Sequence, residues 1–198
     1  MAFLKRKLPK KLPVSRLIMP ADLRECSNGE LPAFLLRKIS PSGKMHHLAA
    51  QSWAMLQELA EKEGFKLVHV GDYRPYSQQL SLFKSRMKPY PNAKKDKQTV
   101  RTFEGAKWYL HNGAPVATPG TSNHGWGLAI DVAVKGKIGV VSVSTKFKPS
   151  GKSALDFLLR EAQSLGWSWE LQSEPWHIRY VAGDKIPVRL EELLSKKA

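Results

Sequence analysis

Cysteine, long apolar runs and acidic residues are what this chain of 198 residues has least of. Its one cysteine, Cys26, has no partner in the chain, so no intramolecular disulfide can staple the fold. No stretch approaches the roughly 20 apolar residues that a membrane-spanning helix requires. The start Met1-Ala-Phe-Leu-Lys-Arg-Lys7 also lacks the continuous apolar run of a secretory signal. There is no internal repeat. Asp and Glu number 17 against 32 Lys and Arg, a net charge of +15. The basic residues cluster at Lys5-Arg6-Lys7, Lys10, Lys11 and Arg16, and again from Lys84 to Lys107. Such a field attracts an anionic partner. No nucleic-acid-binding motif accompanies the charge, so specific recognition of DNA or RNA is not expected. A hydrophobic content of 42% in this length supports one sizeable core and little more.

The helical motif His-Glu-x-x-His, with two metal ligands on one helix face, is absent too. Two other segments carry the chemistry: Thr121-Ser-Asn-His-Gly-Trp-Gly-Leu-Ala-Ile-Asp131 and Glu174-Pro-Trp-His177. Between them they supply two imidazoles and two carboxylates. A catalytic zinc needs three ligands from His, Asp, Glu or Cys, an open position for water, and a carboxylate nearby to take that water's proton. His124, Asp131 and His177 suit the first role and Glu174 the second. Gly125 and Gly127 favour a turn after His124. Leu128 to Val134 then alternates with period two, which puts Leu128, Ile130, Val132 and Val134 toward a core and Asp131 on a face with Ala129 and Ala133. Pro175 biases Glu174 away from helix, so Glu174 and His177 are expected at the mouth of a strand continuing through Ile178 to Val181. A site built from sheet follows. The other histidines, His46, His47, His69 and His111, lack such company and read as surface or core residues.

Ser-x-His-x-x-Gly-x-Ala-x-Asp followed by Glu-x-Trp-His resembles the zinc D-alanyl-D-alanine carboxypeptidase family, whose members include vancomycin-resistance D,D-carboxypeptidases and phage L-alanyl-D-glutamate endopeptidases. Upstream, Tyr73-Arg-Pro-Tyr-Ser-Gln-Gln79 is similar to that family's Tyr-Arg-x-x-x-x-Gln. The resemblance covers roughly residues 45 to 182. It implies one zinc ion held by His124, Asp131 and His177, Glu174 as catalytic base, and Arg74 as stabiliser of the developing negative charge. It also implies that Ser122 and Gln79 hold the substrate's peptide or terminal carboxylate. One departure is visible: this chain has Gly71-Asp72 where the family commonly has Ser-Gly before Tyr-Arg.

The remaining pattern predicts an α+β domain, with helices packed against an antiparallel sheet, and the resemblance implies the same. Residues 46 to 63 read as an amphipathic helix ending at Gly64, Phe65 to Val70 as a strand delivering Arg74, and Ser77 to Met87 as a second helix. Val100 to Leu110 reads as a hairpin around Glu104-Gly105. Ser153-Ala-Leu-Asp156 is similar to a capping box and opens a helix to Leu165. Trp167 to Leu171 and Trp176 to Val181 are expected to pair antiparallel. Residues 1–44 would form a basic extension packed on a domain spanning 45–183, with a terminal helix at 184–198. Two loops, Lys88 to Thr99 and Asn112 to Thr121, are placed to rim the site. Trp108, Tyr109 and Trp126 are candidates to line a cleft, with Trp108 the better fit to a core.

The function these features imply is zinc-dependent hydrolysis of peptidoglycan stem peptides, with D-alanyl-D-alanine carboxypeptidase action first. Its rival is endopeptidase cleavage within the stem or crossbridge, and a third reading is a zinc-stabilised wall-binding module without turnover. Binding to anionic wall polymers, sensitive to salt, and a monomeric state are expected. Without a signal peptide, the chain would reach the bacterial wall as a phage-encoded enzyme, released from the cytoplasm or carried on the virion.

Overall fold

Two short strands, β1 (Leu36–Lys38) and β2 (Lys44–His46), pair antiparallel and lead into the first long helix, α1 (His47–Lys62). The chain is seen here as a computed structural model that describes residues 11–89, 99–137, 139–142 and 153–197. Helix α1 forms where its apolar spacing predicts it: Ala49, Trp53, Leu56 and Ala60 recur at helical intervals and are fully buried. It stops at Gly64, whose φ of 87° suits the left-handed conformation that ends a helix. Ser52 also lies on the buried face. It donates to the Leu165 carbonyl at 2.6 Å and accepts from Trp167 Nε1 at 2.7 Å, so its hydroxyl is satisfied inside the core.

The chain continues through β3 (Leu67–Gly71), α2 (Tyr76–Arg86), β4 (Met87–Pro89), β5 (Val100–Phe103), β6 (Ala106–Leu110), β7 (Ala129–Val134), α3 (Ala154–Glu161), β8 (Trp167–Trp169), β9 (His177–Tyr180) and α4 (Val188–Ser195). The main sheet has the order β3-β7-β9-β8 and is antiparallel throughout. A second sheet, β4-β6-β5, contains the expected hairpin, with Glu104 and Gly105 at positive φ in its turn. α3 opens at Ser153, whose hydroxyl accepts from Asp156 N at 3.3 Å, and a 3₁₀ turn carries it to Leu165.

The largest core cluster joins α1, the main sheet, α3 and Leu190 of α4, and it takes in Leu23, Leu31, Leu35 and Ile39 from the N-terminal region. Leu128, Ile130, Val132 and Val134 are buried as the alternation predicts. The opposite face of β7 is covered as well, since Ala129 and Ala133 are also buried. A second cluster, Phe83, Met87, Phe103 and Val116 with Trp108 against it, ties α2 to the small sheet. Trp108 is thus a core residue.

Residues 13 to 15 run beside the β8 edge, and residues 18 to 21 beside the segment that follows β9. Pro13 O accepts from Trp169 N at 3.2 Å, Ser168 Oγ accepts from Ser15 N at 2.8 Å, and Asp184 accepts from Ala21 N at 2.9 Å. Covering the edge satisfies backbone groups that would otherwise be open to another strand. The basic residues Lys5, Arg6, Lys7 and Lys10 lie outside the described residues, as do positions 90–98 of the expected Lys88 to Thr99 rim. Among the described residues, no helix is long and apolar enough to cross a membrane.

Candidate metal centre

One row across the main sheet assembles most of the site. Gly71 of β3 pairs with Asp131 of β7, and Asp131 pairs with His177 of β9. Residues directly opposite on antiparallel strands project to the same face, so the Asp131 and His177 side chains meet. A Cβ at position 71 would overlap the Asp131 carboxylate. Glycine there is what lets the carboxylate lie against β3.

His124 arrives from outside the sheet, on the 3₁₀ turn Asn123–Trp126 that precedes β7. Gly127 closes this turn at φ 63°, which returns the chain into β7 immediately after His124. The His124 carbonyl accepts from Arg74 N at 3.0 Å, and Asn28 Nδ2 donates to the Ser122 carbonyl at 2.8 Å. Both ends of the turn are therefore pinned.

His177 Nδ1 lies 2.9 Å from one Asp131 oxygen and His124 Nε2 lies 3.4 Å from the other. These ligand atoms all fall within 4.8 Å of one another. The far ring nitrogens are engaged elsewhere. His124 Nδ1–H donates to the Asp72 carbonyl at 2.9 Å, and His177 Nε2–H donates to Glu170 at 3.2 Å. A carbonyl can only accept, so His124 keeps a proton on Nδ1, and Nε2 is the nitrogen that faces the cluster. Two imidazoles and a carboxylate, with the outer nitrogens tied to oxygen acceptors, fit a zinc-class divalent cation.

The charges are strongly coupled. Burial opposes ionisation of Asp131, yet bonds to His124 and His177 hold its carboxyl well below the usual carboxylate range. Burial likewise opposes a charge on His177, but bonds to Asp131 and Glu170 outweigh it and raise this histidine to about 9. The bond from His177, helped by Asn123 and Arg179 against the opposing effect of burial, lowers Glu170 to about 2.

Glu170 and Asn123 are absent from the residues that sequence motifs single out. Asn123 Nδ2 donates to Glu170 at 2.8 Å, and Arg179 approaches the other Glu170 oxygen at 3.6 Å. The signal for Glu170 lay in the register. Trp169 pairs with Ile178, so the next step of the same antiparallel ladder sets position 170 opposite His177.

A cleft of about 590 Å³ opens over this cluster. Its lining includes Arg74, Ser122, His124, Asp131, Glu174 and His177. Ala114 to Ala117 and Thr121, from the expected second rim, line it as well. Trp176 faces it, whereas Tyr109 and Trp126 are not among its lining residues, and Trp126 packs against the main core. Arg74 donates to Gln79 Oε1 at 2.9 Å, and Gln79 Nε2 donates to the Ala117 carbonyl at 2.7 Å. Gln79 is 2% exposed with both ends of its amide engaged, so it braces Arg74. Burial lowers the Arg74 pKa, Asp131 raises it and Arg86 lowers it further. Asp72 accepts from the Lys44 backbone at 2.7 Å and leaves Arg74 without a paired carboxylate among the described residues. A smaller cavity of about 350 Å³, between Gly64–Lys66 and Val134–Lys137, has no acid or histidine among its described lining residues.

The reading of His46 and His47 as residues without company needs correction. Asp22, from the N-terminal region, lies 3.0 Å from His46 Nε2 and 2.8 Å from His47 Nε2. A third side chain more than 20 positions away in sequence completes this grouping, which is why local spacing does not show it. His69 instead bonds the Ser42 carbonyl at 2.7 Å.

Comparison with known proteins adds the following. Residues 42–183 match the family model VanY, described as D-alanyl-D-alanine carboxypeptidase. The protein YodJ of Bacillus subtilis (strain 168), named as a carboxypeptidase, is 27% identical over 139 residues, which are 67% of this chain and 45% of YodJ. The chain thus spans less than half of that relative's length. Among solved structures, VanYB in complex with D-Ala-D-Ala aligns at a TM-score of 0.51 and 20% identity, over 92% of this chain and 98% of that one. A variant of the vancomycin-resistance D,D-pentapeptidase VanY in complex with Zn(II) gives the same score and identity, over 92% and 97%. The LD-carboxypeptidase LdcB aligns at 0.50 and 20% identity, over 97% and 76%. At such identities the structural likeness shows a shared fold.

Proposed function

This chain belongs to the D-alanyl-D-alanine carboxypeptidase family of VanY type, and from that membership we propose that it is a zinc-dependent D,D-carboxypeptidase acting on peptidoglycan stem peptides. The observation that carries the proposal is the convergence of His124, Asp131 and His177 beside Glu174 and Arg74 in one cleft. His124 Nε2, Asp131 and His177 Nδ1 would hold the zinc. When bound, such an ion acidifies water and polarises a carbonyl.

The chain's own residues supply the rest. Glu174 stands in the cleft at the entry to β9, where it can take a proton from the attacking water and pass it to the leaving amine. Arg74, braced by Gln79, brings a fixed positive charge to the oxyanion that develops on the scissile carbonyl. Ser122 lines the same cleft and offers a hydroxyl to the peptide. Glu170 and the Asp72 carbonyl hold the two imidazoles in orientation. Within this reading, residues 1–44 count as an N-terminal extension, its described part from residue 11 docked on the peptidase domain of 45–183, followed by a helical tail. The net charge of +15 draws the enzyme, as a monomer, to anionic wall polymers.

The test is mass spectrometry of products from a pentapeptide stem ending in D-Ala-D-Ala and from purified peptidoglycan, with zinc-loaded protein and an EDTA-treated control. Loss of one D-alanine, abolished by EDTA, is the expected result. Internal fragments would reassign the chain as a stem or crossbridge endopeptidase. No metal-dependent cleavage of either substrate would leave a wall-binding module.

A further inference from the structure

We propose that Arg86 and Arg101 form an anion subsite in the cleft that takes a free carboxylate of the substrate. The inference rests on the peptidase reading above and deepens it.

Arg86 ends α2, and Arg101 lies in β5. Both line the same cleft as His124, Asp131, Glu174 and His177. One loop holds them. Arg86 Nη1 donates to the Ala114 carbonyl at 3.3 Å, and Arg101 Nε donates to the Val116 carbonyl at 3.2 Å. The Ala117 carbonyl in turn holds Gln79, which holds Arg74. Three neighbouring carbonyls on one rim therefore set the positions of three guanidiniums. Backbone contacts reinforce this: the Arg86 carbonyl accepts from His111 N at 2.7 Å and Asn112 N at 3.2 Å, which docks the loop on the end of α2.

The carbonyls anchor these guanidiniums without neutralising them. A guanidinium carries five N–H groups in a fork that matches a carboxylate, and the carbonyls engage only some of them. Among the described residues, no carboxylate lies within the 4.0 Å ion-pair distance of Arg74, Arg86 or Arg101. Elsewhere in the same protein Arg160, Arg179 and Arg189 each have one, in Glu63, Glu170 and Glu192. Arg86 is also close enough to Arg74 to disfavour the charge on Arg74. Like charges gathered on one wall of a cleft and left without a carboxylate among the described residues are arranged for an anion that arrives from outside. Gln79, the other group expected to meet a terminal carboxylate, has its amide committed within the protein. Arg74 faces the chemistry, so Arg86 and Arg101 are the cations that the described lining of the cleft leaves for a carboxylate beside the scissile bond.

Two substrate carboxylates share this chemistry: the terminal α-carboxylate of the leaving residue, and the side-chain carboxylate of a diaminopimelate stem residue. Binding is measured by calorimetry in zinc-loaded protein carrying Glu174→Gln, so that substrate persists. The ligands are diacetyl-L-lysyl-D-alanyl-D-alanine, its C-terminal amide, and the corresponding peptide with diaminopimelate in place of lysine. Arg86→Gln and Arg101→Gln are each expected to weaken binding of the free acid about tenfold or more and to remove its preference over the amide. Arg86→Lys and Arg101→Lys should recover part of the loss, and zinc content should stay unchanged. A loss confined to the diaminopimelate peptide would also support the subsite and assign it to the side-chain carboxylate. Unchanged affinities for all three peptides in both Gln variants would overturn it. If wild-type protein meanwhile releases D-alanine, the peptidase reading stands and the subsite alone falls.

Discussion

Two places in this protein gather a pair of histidines around one aspartate, and they are built to opposite ends. Asp22 sits between His46 and His47, while Asp131 sits between His124 and His177. At Asp131 the far ring nitrogens are tied to Asp72 and Glu170, and the cluster opens into a cleft with Glu174 and Arg74. At Asp22 the far nitrogen of fully buried His46 has no partner among the described residues, and none of the three residues lines that cleft. A cation bound at His46 Nε2 would force the proton onto an orphaned Nδ1, whose burial unpaired is unfavourable. The Asp22 group instead fastens the N-terminal region to the start of α1. Ligand type alone therefore does not define a metal centre; what occupies the second nitrogen of each imidazole, and what the cluster faces, decides it.

The largest effects should separate the two groups outright. Asp131→Asn or His124→Ala is expected to abolish zinc retention and peptide hydrolysis, as read by metal analysis and D-alanine release. Glu174→Gln should lower kcat by about 10²- to 10⁴-fold with zinc content intact, and turnover near wild type would remove it from the general-base role. Glu170→Gln should weaken zinc binding about 10- to 100-fold in a competitive chelator titration. Zinc binding to the EDTA-treated wild type must displace the proton that His177 holds up to about pH 9, so affinity should climb with pH toward that value. The Glu170 variant should reach its plateau at lower pH.

The smallest effect, and the sharpest contrast, belongs to Asp22→Asn. It should leave zinc content and turnover unchanged and cost about 1–3 kcal/mol in denaturant unfolding, because Asn offers one acceptor oxygen where Asp22 offers two, so one of the two imidazoles meets an amide N–H in place of its acceptor. Burial, against the opposing pull of Asp22, depresses His46 below its ordinary 6.5, so the folded state resists protonation that the unfolded chain accepts. The net effect of His46 and His47 also holds Asp22 below its ordinary value, against burial. Both shifts have the same sign: their contribution is present at neutral pH, the His46 part being lost as pH falls below about 6.5 and the Asp22 part only as pH falls below the carboxyl's ordinary 3.8. A variant lacking Asp22 should show a steeper dependence of its unfolding midpoint just below pH 6.5, where His46 loses the pull that opposes burial, and a shallower one below 3.8, where the carboxyl's own titration is gone.

Much of this architecture is legible locally. Apolar spacing marks α1, alternation marks β7, and glycines mark the turn after His124 and the helix end at Gly64. The residues that escape such reading are those whose partners are chosen by packing. Glu170 meets His177 only because β8 and β9 pair in one register. Asp22 meets His46 only because the N-terminal region folds across the start of α1. Arg86 and Arg101 acquire meaning from a loop that brings Ala114 and Val116 between them. Gln79 shows the converse: its motif suggests substrate contact, while tertiary packing turns its amide inward.

The most direct test of the account is a zinc titration of the EDTA-treated full chain, monitoring D-alanine release from a stem peptide ending in D-Ala-D-Ala. Activity should rise from zero in proportion to added zinc, saturate at about one equivalent as a single three-ligand site requires, and stay absent in Asp131→Asn at any zinc level. Release of D-alanine that is indifferent to zinc, or retained in Asp131→Asn, would contradict a catalytic metal centre at His124, Asp131 and His177.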